Sequence, residues 1–118
     1  MKKLLTVALI SGLAWPAAAQ TTPNLRLKYE LDSLYKVDQR YRDMLFSLRL
    51  NRNPDSLAAA LGVSKEELNS AIMGRMIRSD ATNLPRVQAI LKQYGYPGKS
   101  LVGTPTNEAA WSVIQHAP

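Results

Sequence analysis

The sequence contains no cysteine. Disulfides, cysteine-based zinc sites and lipid attachment to a cysteine are therefore all excluded. Histidine is nearly absent too: His116 is the only one, and a lone histidine is more often a hydrogen-bonded core or surface residue than a ligand. No H-E-x-x-H or G-x-S-x-G stretch occurs, so the strong zinc-protease and serine-hydrolase signatures are missing. Pro97-Gly98-Lys99-Ser100 imitates the end of a phosphate loop, but it lacks the upstream glycine and a preceding strand. No alternating apolar and polar run is long enough to argue a strand, and no internal repeat is present.

Charge of one sign is not scarce, but the excess is modest. The 118 residues carry a formal +6. The first 19 have the layout of a secretory signal peptide: Lys2 and Lys3, an apolar run from Leu4 to Trp15, then Ala17-Ala18-Ala19. That run is too short to span a bilayer about 30 Å thick, so export with cleavage after Ala19 is expected, and no transmembrane anchor. The destination is the periplasm or the extracellular space. Without the leader, 99 residues remain, with 13 basic and 9 acidic side chains and a net charge of +4. This suits a well-solvated surface and is too little to argue for nucleic acid. A domain of that size with no disulfide must be held by apolar packing and hydrogen bonding.

What is present is helical spacing. Residues 20–24 form a short polar lead-in, and residues 25–118 read as one domain. Leu27, Leu31, Leu34, Tyr41, Leu45 and Leu48 recur at three- and four-residue steps and predict a long first helix. Asn51-Arg52-Asn53-Pro54-Asp55 ends it. Ser56 to Leu61 reads as a short helix closed by Gly62. Ser64 with Glu67 is a capping box that opens another helix near Lys65. Its pattern passes through Ile72, Met73, Met76 and Ile77, then Leu84, Val87, Leu91 and Tyr94. Pro85 predicts a break or kink around Asp80 to Asn83. Gly95 and Pro97 stop the run, residues 96–106 read as a loop, and a last helix starts near Thr106 or Asn107. Trp111 is expected to anchor the core. The fold class is all-α: one long N-terminal helix packed on two or three further helices.

Two positions break the apolar stripes. Asp38 fills the gap between Leu34 and Tyr41, and Asp80 fills the gap between Ile77 and Leu84. A carboxylate on a buried face must be paired, or its protonation shifts. Arg42 lies one turn after Asp38, and Asn83 lies one turn after Asp80. Gln39 adjoins Asp38, and Gln115 and His116 lie on the last helix. If the helices pack through their stripes, these seven residues converge into one polar cluster. The leading reading is architectural, a buried ion pair that specifies the fold. The alternative is an enzyme or a metal-dependent binding protein using Asp38, Asp80 and His116, a set that would suit a divalent metal or general acid–base chemistry.

Leu57 to Ser64, with Leu68 and Ile72, also imitates a helix-turn-helix. Glu66 and Glu67 open the would-be recognition helix, where they would repel DNA phosphates. Two consecutive helices sharing a corner is the simpler account.

From Asp38 to His116 the chain resembles the DUF6624 family, a bacterial family with no assigned activity. The landmarks are Asp38-Gln39 with Arg42, Asp80 with Asn83, Tyr94-Gly95-Tyr96-Pro97, Val102-Gly103, and Glu108 through Trp111 with Gln115-His116. The resemblance implies a shared helical fold and a shared polar set of Asp38, Gln39, Arg42, Asp80, Asn83, Gln115 and His116. It implies no reaction. Sequences of that family continue past the Gln-His pair, so the resemblance also implies that this chain is C-terminally incomplete.

Overall fold

The computed structural model describes residues 22–118; the expected signal peptide lies outside them. Helix α1 spans Leu25–Arg49, α2 Pro54–Leu61, α3 Lys65–Tyr94, α4 Lys99–Val102 and α5 Ala109–His116, with a 3-10 turn at Thr106–Glu108 before α5. No strand occurs among the described residues. None of their helices is long and apolar enough to cross a membrane.

Each boundary has a local cause. Asn24 closes the polar lead-in as the N-cap of α1, its side chain accepting from Leu27 N at 3.0 Å. Asn51 and Asn53 take the left-handed conformation between α1 and α2, at φ 50 and 48, which asparagine tolerates better than most residues. Pro54 then starts α2, where its missing N–H costs nothing. Ser64 and Glu67 form the expected capping box at the head of α3.

Helix α3 runs unbroken for 30 residues through Pro85, so the expected break is absent. The reason is orientation. Pro85 and Ala81, the residue whose carbonyl loses its partner, both lie on the exposed side where water can replace the lost bond. Asn83 and Val87, on the inner side, are buried. The stretch read as loop 96–106 contains the single turn of α4.

Two apolar clusters make up the core. One joins Leu27, Leu31 and Leu34 of α1 to Val87 and Ile90 of α3, with Val102 of α4 and Ala109, Ala110 and Val113 near the C-terminus. The other joins Leu45 to Ala58, Leu61, Leu68 and Ile72, so α2 shares a corner with α3 at that end. The buried face of α3 is therefore centred on Leu68, Ile72, Asn83, Val87 and Ile90, while Met73 and Ile77 of the expected stripe are exposed. Trp111 is 55% exposed, so it is not the core anchor its size predicts. The short α5 turns its alanines and Val113 inward instead.

Between the two clusters lies a polar layer. On α1 it falls at Asp38, between Leu34 and Leu45; on α3 it falls at Asp80 and Asn83, between Ile72 and Val87.

Candidate functional site

The polar layer is built on one long-range ion pair. Arg42 points from α1 to Asp80 on α3, with Nη1 3.0 Å from Oδ1 and Nη2 2.7 Å from Oδ2. This is a two-pronged grip, the geometry that suits guanidinium to carboxylate. Nη1 also donates to the backbone carbonyl of Asp38 and stands 3.5 Å from Asp38 Oδ1. One cation thus faces two carboxylates from different helices, and both acids are buried.

Asp38 collects further donors. Gln39 Nε2 donates to Oδ2 at 2.7 Å, and Ser112 Oγ donates to the same oxygen at 2.9 Å. Gln39 Nε2 also reaches Ser112 Oγ at 3.3 Å. His116 Nδ1 sits 3.0 Å from each oxygen of Asp38. A carboxylate has room for roughly four hydrogen bonds, and these contacts fill it. They also explain how a carboxyl group sits inside a core: it is surrounded by donors and one fixed positive charge.

Five of the seven sequence-derived candidates meet here: Asp38, Gln39, Arg42, Asp80 and His116. Asn83 is buried one turn from Asp80, but its Nδ2 has no hydrogen-bond partner among the described residues, and the expected Asp80–Asn83 pair does not form. Gln115 is exposed and makes no contact with the cluster. Helix α5 turns His116 toward Asp38, and Gln115, about 100° further round the helix, falls on its exposed side. Ser112 belongs to the site and was missed. The available signal was its place four residues before His116, on the same face of α5.

The donor set leaves little for a metal. Both oxygens of Asp80 are taken by Arg42, and those of Asp38 are shared among four side chains. Among the described residues no group of three or more His, Asp or Glu side chains is placed to hold a metal ion. Chemically, the arrangement can lock helices together. It also presents one imidazole fixed by a buried carboxylate, with a side chain 29% exposed. No protein-family profile, curated protein or solved structure matches the chain.

Proposed function

We propose that this chain is an exported, non-catalytic helical domain in which Asp38, Arg42, Asp80, Ser112 and His116 act as a clamp. Arg42 fastens α1 to α3, and Ser112 and His116 fasten α5 to α1. The observation that carries this reading is that both oxygens of each buried carboxylate are engaged by side chains of the same chain. Membership of the DUF6624 family is part of the proposal; support comes from the meeting of Asp38, Arg42, Asp80 and His116, four of its landmarks, across three helices. The short leader with Ala17 to Ala19 supports export. Nothing in the net charge calls for nucleic acid.

The experiment is the thermal stability of Asp38→Asn. Losing one charge of a buried pair costs on the order of 3 kcal/mol, or a fall of more than about 10 °C in Tm for a domain of this size. An unchanged or raised Tm would sink the clamp reading and favour a strained functional carboxylate.

A second reading has one observation behind it. His116 is held through Nδ1 by a buried aspartate, which is how a general base is oriented so that its other ring nitrogen can take a proton. The metal-dependent variant of this reading predicts that divalent cations raise Tm in the wild type but not in His116→Ala or Asp80→Asn. The clamp reading predicts no metal-dependent rise in any of the three.

A further inference from the structure

Helix α5 covers only one flank of the seam between α1 and α3. At about 100° per residue, Gln39 and Arg42 lie to one side of the Leu34–Asp38–Leu45 stripe, and Val37 and Tyr41 lie to the other. Gln39 is the side that meets Ser112 of α5. On the opposite side the seam is open, and a groove of about 370 Å³ runs between the two helices.

The groove's chemistry is one-sided. Arg75, Arg78 and Arg86 line it, and no acidic residue does. Arg75 is steadied by donating from Nη2 to the carbonyl of Leu61 at 2.9 Å. Arg78 and Arg86 have no carboxylate within 4.0 Å among the described residues. Arg75 and Arg78 stand three residues apart on one helix, a like-charge spacing that destabilises. Ser79 adds a hydroxyl to the wall. Asn83 also lines the groove, and it carries the buried amide nitrogen that finds no partner. A buried donor left unmade is costly. The mutual repulsion of guanidinium groups that line one concavity is relieved by an oxyanion.

The far wall is different. Val37 and Tyr41 supply apolar and aromatic surface from α1. An inorganic ion would leave that wall unused, whereas an ester would place its organic part there. We propose that the groove binds a small phosphate ester, with the phosphoryl oxygens on Arg75, Arg78 and Arg86 and the organic group against Val37 and Tyr41. Guanidinium is the cation best shaped for this task, because it can donate two parallel hydrogen bonds to a phosphoryl group. The site is separate from the Asp38 cluster and does not depend on its role.

The test is titration of the purified protein with phenyl phosphate, followed by calorimetry and by ligand-dependent Tm. The expected result is saturable one-site binding, weakened by competing inorganic phosphate and by added salt. The double substitution Arg78→Ala with Arg86→Ala should reduce affinity at least tenfold while leaving the ligand-free Tm unchanged or higher, since it removes like charges and no ion pair. Asn83→Leu should raise the ligand-free Tm, because it removes the unpartnered buried amide. If that variant does not fold, the arginine pair still decides. Absence of saturable binding to either probe would overturn the proposal. So would phenyl phosphate affinity unaltered by the arginine substitutions, or binding seen only with long duplex DNA and not displaced by phenyl phosphate.

Discussion

Arg42 holds both carboxylate oxygens of Asp80, 38 residues away, while the same guanidinium stands against Asp38 one turn back on its own helix. The two acids do not share a partner by accident of spacing alone. They occupy matching depths on α1 and α3, in the layer that separates the two apolar clusters. A single positive charge in that layer offsets two negative ones, with His116, Ser112 and Gln39 supplying the remaining donors.

The first prediction follows from that asymmetry. Arg42→Met removes the only fixed cation and leaves two buried carboxylates short of a partner, so it should cost about 3–5 kcal/mol. Asp80→Asn leaves Arg42 with Asp38 and should cost less. Adding Asp80→Asn to Arg42→Met should then recover part of the loss, because one of the two stranded charges is gone. Urea denaturation of the four proteins measures this as a coupling energy. Strictly additive losses would show that the pair is not energetically linked.

A second carboxylate ties α1 to the turn before α5. Asp32 is held below its ordinary value of 3.8, first by the hydrogen bond from Lys28 and then by that from Thr106, each 2.6 Å long. A carboxylate held low in the folded state stabilises it above the unfolded pKa, and the contribution is lost as pH falls through the lowered folded value. Asp32 is partly exposed, so solvent screens the effect and keeps it small. Wild type should exceed Asp32→Asn in urea midpoint near neutral pH, and the gap should close as pH drops below 3.8. A gap that stays constant through that range would assign the stabilisation to something other than ionisation.

The legible part of the site was the pair of acids, because a charge inside an apolar period is visible without any structure. Arg42 was legible only as a neighbour of Asp38. Its main grip, on Asp80, depends on how far α1 slides along α3, and helix register is not written in either helix alone. The same gap explains Asn83, which spacing assigned to Asp80 but packing placed beside the arginine groove. Ser112 stands one turn before His116 on the same helix face, but a serine beside Trp111 and Val113 does not by itself announce a polar site. The fold class and the capping box at Ser64 were local properties and were read correctly. The break at Pro85 was misjudged because proline's effect depends on which side of the helix faces water, and that side is set by tertiary packing.

Gly74 gives a third prediction. It lies inside α3, and a Cβ built there would meet only Arg78 Nη1, at an ordinary contact distance of 3.6 Å. No left-handed backbone requires the glycine. Gly74→Ala should therefore stabilise the protein by about 0.5–1 kcal/mol, by restricting the unfolded chain and improving helix propensity. That corresponds to a rise of roughly 4 °C in Tm. A fall would mean that α3 needs the flexibility of glycine at this point.

Side-chain size is a poor guide to burial at the C-terminal end of the fold. Trp111 is 55% exposed, whereas Leu34 of α1 is fully buried in the cluster that includes Val87, Ile90 and Val113. Leu34→Ala removes packed core volume and should cost about 2–5 kcal/mol. Trp111→Ala removes a side chain that already meets water over half its surface, and should cost less than about 1 kcal/mol. The same exposure has an optical consequence. The only other tryptophan in the sequence is Trp15, so in a protein that begins at Gln20 Trp111 alone reports, and its emission should sit close to that of tryptophan in water. A blue-shifted emission that moves to the red on unfolding would show that something covers Trp111 in solution. If Trp111→Ala then also cost several kcal/mol, α5 would have to be rotated from the position that brings Ser112 and His116 onto Asp38. The optical and the thermodynamic measurement therefore bear on the clamp itself.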